Sequence, residues 1–247
     1  MTVVVGIDLA AGRGISEVAA FDVPDTSSGE QPRFLRELYS SVQSDDEIVA
    51  ATVAYAPAVV AIDAPLSLPG AVMWALTHSP KDIPGDASPY LRAAERDPVW
   101  GRLGVRPLPV SFLGGLTFRA LVLLPRLRSA LPDATIIEVF PSATLAILRA
   151  KPHPAADQPT QRATRAAKTA PTARRRAQAI LAHWIDGIPA PSSDDAPDIS
   201  DTELLGADLL DALAAAYTAA AWLYGHTLAA GDPAEGQIIL PDPRYYL

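Results

Sequence analysis

An apolar stretch near the end of the chain, Ser200–Gly231, carries two acidic residues, Asp208 and Asp211. We predict one long buried helix here, because Ser200 and Glu203 match the S-x-x-E capping box and the remainder is apolar nearly all round. The two aspartates are three residues apart and therefore lie on one face of that helix. Burying carboxylates costs several kcal/mol unless something compensates their charge. The stretch therefore predicts a cation site on a buried helix.

Three other acids lie at or near the ends of short apolar runs. The runs and their acids are Thr2–Leu9 with Asp8, Ala58–Asp63 with Asp63, and Thr135–Phe140 with Glu138. Runs of this kind are typical of strands that are covered on both faces. Open α/β sheets form their sites at the carboxyl ends of such strands. We therefore expect Asp8, Asp63 and the helix pair to converge, with Glu138 as an additional candidate.

The rest of the pattern predicts a mixed α/β chain. Ser16–Phe21 is a further predicted strand, Phe34–Tyr39 is a candidate for another, and Gly236–Pro241 is either a short terminal strand or a packed extended piece. The predicted helices are Ser44–Tyr55, Leu116–Arg128, Ala143–Arg149 and Thr172–Ile185. We interpret residues 1–247 as a single domain. Residues 66–132 are an insertion packed over one end of the sheet, and residues 151–173 are a mobile basic loop.

Composition limits the classes of partner. The net charge of -8 argues against indiscriminate binding to nucleic acid, which normally requires a basic excess. Basic residues are nevertheless concentrated in one acid-free segment, at Arg162, Arg165, Lys168, Arg174, Arg175 and Arg176. The absence of Cys excludes disulfides and is compatible with a reducing cytoplasm, where we expect the protein. We expect no signal peptide and no membrane partner.

Convergent carboxylates favour one kind of chemistry. Mg²⁺ and Mn²⁺ prefer hard oxygen ligands, and two such ions about 3.5–4 Å apart stabilise the attacking and leaving oxygens of a phosphoryl displacement. The four His have no zinc-ligand spacing. The acids therefore predict a Mg²⁺ or Mn²⁺ site.

Short motifs around these acids resemble the RNase H-like nuclease superfamily. They are G-I-D-L-A at Gly6–Ala10, I-D-A-P at Ile62–Pro65 and D-L-L-D-A-L-A at Asp208–Ala214. The spacing is similar to that of RuvC-type Holliday-junction resolvases, in which the last helix supplies two metal ligands. Further islands are E-V-F-P-S-A at Glu138–Ala143, R-x-x-E-R-D at Arg92–Asp97, K-T at Lys168–Thr169 and G-Q-I-I-L-P at Gly236–Pro241. In this order they resemble an uncharacterised bacterial and archaeal family, a domain of unknown function described as predicted RNase H-like nucleases.

The resemblance implies an α/β RNase H-like fold, with a mixed sheet flanked by helices and a helical or loop insertion. It implies a Mg²⁺- or Mn²⁺-dependent nuclease that hydrolyses phosphodiester bonds of DNA or RNA. The metal ligands would be Asp8, Asp63, Asp208 and Asp211, and Glu138 would be a further catalytic candidate. The substrate-binding candidates are Arg96, Lys168, Arg174 and Arg175. By analogy with the resolvases, a dimer is conceivable.

Each candidate also has a simpler structural interpretation. Asp8 and Asp63 could make hydrogen bonds in turns, and the acids at 208 and 211 could be solvated and favoured by the helix dipole. The arginines at 174–176 could form a solvated face. Arg92, Arg96 and Asp97 could form a surface ion-pair network.

Two other functions stay open at this point. An ATP phosphotransferase of the actin or sugar-kinase type shares the core fold and opens with G-I-D, but it needs a second copy of the domain and glycine-rich phosphate loops. A non-catalytic binding protein on the same fold would retain the strands without the chemistry. Metal binding by the acids distinguishes this last reading from the nuclease.

Overall fold

A computed structural model describes residues 2–12, 14–24, 38–78, 88–149, 169–189 and 203–245. Within these ranges, seven strands form one sheet in the order β3-β2-β1-β4-β5-β7-β6. The strands are β1 (Thr2–Asp8), β2 (Ser16–Val23), β3 (Leu38–Val42), β4 (Val59–Asp63), β5 (Thr135–Val139), β6 (Thr227–Asp232) and β7 (Gly236–Pro241). Strands β1, β4, β5 and β7 run parallel to one another, whereas β2, β3 and β6 pair antiparallel with their neighbours.

Helices connect the strands and cover the sheet. They are α1 (Asp45–Ala54), α2 (Gly70–Thr77), α3 (Ala93–Arg96), α4 (Val99–Leu103), α5 (Gly114–Ala130), α6 (Pro141–Arg149), α7 (Pro171–Trp184) and α8 (Ala207–Leu223). Short 3₁₀ turns lie at Val110–Phe112 and Pro243–Tyr245. The predicted α/β class, with a mixed sheet flanked by helices, is confirmed.

The sheet separates two apolar cores, because successive strand residues point to opposite faces. On one face Val4 and Ala61 pack with α6, α7 and α8. On the other face Val5 and Val60 pack with α1 and α5. Helix α5 belongs to the predicted insertion, yet it covers this second face of the sheet instead of only one end. The central strands are therefore buried on both sides, as their continuous apolar runs predicted.

The predicted capping box at the start of α1 is present. The amide of Glu47 donates to Ser44 Oγ at 3.2 Å, and the amide of Ser44 donates to Glu47 Oε2 at 2.9 Å. The amide of Gln43 donates to the same carboxylate at 3.0 Å. These backbone hydrogen bonds, from Ser44 first and then Gln43, lower the pKa of Glu47. The carboxylate satisfies amides that would otherwise be unpaired at the helix start.

The prediction of a single helix over Ser200–Gly231 is wrong at its N-terminal end. Helix α8 begins at Ala207, after the N-cap residue Gly206, which makes no side-chain capping bond. Glu203 lies in a turn before the helix, and Ser200 lies outside the described residues. The capping-box pattern therefore does not mark the start of this helix.

The same prediction is wrong at its C-terminal end. Helix α8 ends at Leu223, and Gly225 adopts a φ of 68°, the left-handed conformation that commonly follows a helix. The chain then returns as β6 in a hairpin with β7. Hydrogen bonding to β7 overrides the helix propensity of this alanine-containing segment.

Several predictions fall partly or wholly outside the described residues. They are the first part of the strand predicted at Phe34–Tyr39, most of the basic loop at 151–173, and Lys168. Among the helices that the structure describes, none is both long and apolar enough to cross a membrane.

Candidate metal centre

Two of the predicted acids lie side by side at the carboxyl ends of two neighbouring central strands. Asp8 is the last residue of β1 and Asp63 is the last residue of β4. The strands are parallel, and the two aspartates are direct Cα partners. Their side chains therefore point to the same sheet face, the one covered by α8. Both residues are half-buried at the carboxyl ends of the strands.

Helix α8 brings in a third acid, Asp211, because it packs against β1 at a glycine. A Cβ atom on Gly6 would clash with the carbonyl oxygen of Ala212 and with the amide nitrogen of Ala216. Only glycine permits so close an approach. Gly6 precedes Asp8 by two residues and shares its sheet face, so the close contact holds the start of α8 beside the strand ends.

One carboxylate oxygen from each of Asp8, Asp63 and Asp211 lies within 4.8 Å of the other two. We call these three residues the acid cluster. Among the described residues, no other group of three acidic or histidine side chains meets this spacing. Mg²⁺ and Mn²⁺ prefer carboxylate oxygens, so the donor set fits either ion. A cation would also offset the mutual repulsion of three half-buried carboxylates.

The other helix acid, Asp208, is not a member of the acid cluster. It lies in the first turn of α8 and is exposed, whereas Asp211 is half-buried. A carboxylate in the first turn is favoured by the helix dipole. The structure therefore separates the two acids that the D-x-x-D spacing placed on one helix face.

Glu138 lies in a different electrostatic setting, a buried ion pair with Arg92. Oε1 of Glu138 accepts a hydrogen bond from Nη2 of Arg92 at 2.6 Å, and Oε2 accepts from Nη1 at 2.7 Å. Glu95 accepts from Nε of the same guanidinium at 2.8 Å, and Ser67 Oγ accepts from Nη1 at 2.8 Å. Arg92 is 1% exposed, so the interpretation of this motif as a surface ion-pair network is wrong.

Strand register explains why Glu138 is separated from the acid cluster. Its Cα partner on β4 is Ile62, one residue before Asp63, so its side chain starts from the opposite sheet face. Oε2 also accepts a hydrogen bond from the amide of Leu66 at 2.8 Å. Burial raises the pKa of Glu138, and the hydrogen bonds from Arg92 oppose that shift. The contacts of Glu138 therefore hold the loop after β4 in place.

The predicted basic contacts are spread over two helices. Arg174 and Arg175 lie in the first two turns of α7, and Nη1 of Arg174 donates to the carbonyl of Leu205 at 3.4 Å, just before α8. The start of α7 therefore lies near the helix end that carries Asp211. Arg96 is exposed on α3, and its Nε donates to the carbonyl of Arg92 at 3.4 Å.

Comparison with known proteins identifies the family. The family described as "Protein of unknown function (DUF429)" matches residues 6–236, which include the whole acid cluster. The chain belongs to this family. The predicted membership of an uncharacterised family, a domain of unknown function, is thus confirmed. A search of the curated proteins gave no match.

Two solved structures match along most of the chain. The Thermus thermophilus RuvC structure matches at 14% identity and a TM-score of 0.35, covering 91% of this chain and 97% of that chain. T. thermophilus RuvC in complex with Holliday junction substrate matches at 13% identity and a TM-score of 0.39, with the same shares covered.

In this member of the DUF429 family, two residues of the acid cluster border a cavity of about 200 Å³. Asp8 and Asp63 line it together with the charged side chains of Arg92, Glu95 and Glu138. The rest of the lining is mainly apolar and includes Pro107, Leu108, Leu113 and Leu116, all from the segment around the start of α5. A larger hollow of about 570 Å³, lined by Met73, Arg128 and Trp222 among others, contains none of the acid cluster.

Two parts of this site were not predicted from the sequence. The first is the buried role of Arg92 and Glu95, although their i,i+3 spacing is one at which opposite charges meet on a helix. The second is the apolar lining, because the segment around Leu108 and Leu113 contains Pro and Gly and has no clear periodicity.

Proposed function

We propose that this chain is a metal-dependent nuclease that hydrolyses phosphodiester bonds of nucleic acid. The observation that carries the proposal is the acid cluster, in which oxygens of Asp8, Asp63 and Asp211 lie within 4.8 Å of one another. Three half-buried carboxylates this close together repel one another, and a bound cation offsets that repulsion. A site for Mg²⁺ or Mn²⁺ accounts for the arrangement.

The three aspartates would hold the ion. When bound, Mg²⁺ or Mn²⁺ supplies charge stabilisation for displacement at a phosphorus atom. The fold positions the three carboxylates before any metal ion binds, because Asp8 and Asp63 lie on paired strands and α8 packs closely against Gly6. Such preorganisation on rigid elements is what electrostatic catalysis requires. Arg92 makes hydrogen bonds to Glu95, Glu138 and Ser67, so we assign it a supporting role instead of substrate contact.

Nucleic acid is the substrate class that we propose, with DNA and RNA both open. The chain has a net negative charge, so a purely electrostatic, sequence-independent contact with nucleic acid is weak. Basic side chains near the site are therefore needed to bind the phosphates. Arg174 and Arg175 lie in the first two turns of α7, and the hydrogen bond from Arg174 to the carbonyl of Leu205 supports a position near the start of α8. Arg96 and Lys168 complete the proposed set of substrate contacts.

Calorimetric titration of Mn²⁺ tests the proposal directly. We expect the wild type to bind Mn²⁺ and the double variant Asp8→Asn/Asp211→Asn to lose that binding. The double variant Asp133→Asn/Asp232→Asn changes the net charge equally at two exposed acids outside the cluster and should bind as the wild type does. Absence of binding in all three proteins would contradict the metal site.

Cleavage assays then separate the nuclease from a binding protein. With Mn²⁺ present, the wild type should cut DNA or RNA, and the Asp8→Asn/Asp211→Asn variant should not. Metal binding without cleavage of single strands, duplexes or junctions would favour a non-catalytic binding protein on this fold. Hydrolysis of ATP with transfer to an acceptor, and no nucleic-acid cleavage, would favour the phosphotransferase.

A further inference from the structure

The cavity beside the acid cluster combines two kinds of surface. Asp8 and Asp63 contribute carboxylates, and Arg92, Glu95 and Glu138 add charges that are paired with one another. Leu108, Leu113 and Leu116 contribute apolar side chains. A site that handled only a phosphate and a metal ion would have no use for this apolar surface. The lining therefore suits a ligand with an apolar part close to its reacting phosphate.

The size of the cavity limits what can enter. Its volume of about 200 Å³ lies below the roughly 300–1,000 Å³ of pockets that enclose drug-sized ligands. One planar ring system fits a space of this order, whereas a stacked base pair does not. Enzymes that act on an extruded nucleotide hold its base in such a pocket, between apolar or aromatic side chains.

We propose that this cavity receives one unstacked nucleobase of the substrate, next to the phosphate held at the acid cluster. The inference rests on the proposed nuclease function and narrows its substrate to single-stranded or locally unpaired nucleic acid. A base in a continuous duplex must first unstack and separate from its paired base. This costs free energy, and the cost is smallest for a base that is already single-stranded. The segment around Leu108 and Leu113 then selects substrates with an accessible base, and the acids at the strand ends take part in the reaction.

Leu108 offers the variant that tests this role. It lines the cavity and is 50% exposed, so Leu108→Asp places a charge against the base without disturbing a closed core. Phe112 belongs to the same segment and is 79% exposed, but it does not line the cavity. Phe112→Asp is therefore a matched control that adds the same charge nearby. Leu108→Ala provides a milder change, and circular dichroism verifies that each variant is folded.

Fluorescence anisotropy in Mg²⁺ measures binding of a labelled oligonucleotide with phosphorothioate linkages, which resist hydrolysis. Three probes are compared: the single strand, its duplex, and the same strand with abasic sites throughout. We expect the single strand to bind at least about tenfold more tightly than the duplex, because unpairing a base is costly. Leu108→Asp should weaken single-strand binding by about tenfold or more, which is the size of effect expected when a ligand no longer fits an apolar pocket. Phe112→Asp should leave binding unchanged.

The outcomes separate this inference from the nuclease proposal. Equal binding of duplex and single strand, equal binding of the abasic strand, or equal effects of the two Asp variants would overturn the base site. If Mn²⁺-dependent cleavage persisted in that case, the nuclease function would stand without it. Base-dependent binding that requires Leu108, with no cleavage of any substrate, would keep the base site and remove the hydrolytic function.

Discussion

Asp8 and Asp63 are direct Cα partners at the carboxyl ends of the adjacent parallel strands β1 and β4. This register places both side chains on the sheet face covered by α8, from which Asp211 completes the acid cluster. A shift of one residue in the pairing would move one aspartate to the opposite face. The acid cluster is therefore a consequence of strand register and of one close helix contact, and no loop has to place any of the three acids.

The first prediction distinguishes the two acids of α8. Asp211→Asn should weaken Mn²⁺ binding by at least about tenfold, because ligand charge largely sets the affinity of carboxylate sites. Asp208→Asn should bind within about threefold of the wild type, since an exposed charge outside the ligand set is strongly screened by solvent. Calorimetric titration of each variant gives both affinities. Equal losses would show that Asp208 is also a ligand.

The second prediction concerns the close contact between Gly6 and α8, which positions that helix. Gly6→Ala should lower the free energy of unfolding by about 1–3 kcal/mol or more, because the new Cβ meets backbone atoms of Ala212 and Ala216 that can give way only if the helix moves. Since that movement also displaces Asp211, Mn²⁺ affinity should fall. Urea unfolding and calorimetry measure the two effects.

Gly115 provides the control for the Gly6 substitution. It lies in α5, where an added Cβ meets nothing within 4 Å. Gly115→Ala should therefore be neutral or stabilising by up to about 1 kcal/mol, through helix propensity. A Gly6→Ala variant that kept both its stability and its Mn²⁺ affinity would contradict the proposed role of this contact.

The sequence was most informative where burial and local hydrogen bonding act together. The apolar runs of β1, β4 and β5 predicted buried strands, because the sheet is covered on both faces. The capping box of Ser44 and Glu47 predicted the start of α1, because both hydrogen bonds form within four residues. Asp8, Asp63 and Asp211 could be selected because they lie at the boundaries of such elements.

Features that depend on tertiary pairing could not be predicted from local sequence patterns. The segment at Thr227–Asp232 continues an alanine-rich helix pattern, and only its pairing with β7 makes it a strand. Glu138 lies in a run much like those of the two strand aspartates, yet its register with Ile62 places the start of its side chain on the opposite sheet face. Its partner Arg92 lies 46 residues away in the chain, and no local pattern links the two.

The third prediction addresses this buried ion pair. Arg92→Ala leaves the carboxylates of Glu138 and Glu95 buried without their cation, so the free energy of unfolding should fall by about 3–5 kcal/mol. Arg96→Ala removes an exposed guanidinium from the same helix segment and should change stability by no more than about 0.5 kcal/mol. Urea denaturation monitored by tryptophan fluorescence compares the two variants. Similar stabilities would contradict the structural role of Arg92.

The fourth prediction concerns the pH dependence of the cap on α1. The amides of Ser44 and Gln43 hold the pKa of Glu47 below its ordinary value of 4.5, so the folded state favours the ionised carboxylate. A lowered pKa in the folded state contributes stability above the unfolded pKa, and this contribution is lost as the pH falls through the folded pKa. Glu47→Gln should therefore reduce stability at pH 7 and have a much smaller effect at the acid end of the range.

The hydroxyl half of the cap is tested beside it. Ser44→Ala should cost about 1 kcal/mol at pH 7, because the amide of Glu47 loses its acceptor. Ser129→Ala makes the same change at an exposed position in the last turn of α5 and should stay within about 0.5 kcal/mol. Urea denaturation of all three variants across the acid range measures these effects. A cost of Glu47→Gln that did not change with pH would show that the charge of Glu47 adds nothing to the cap.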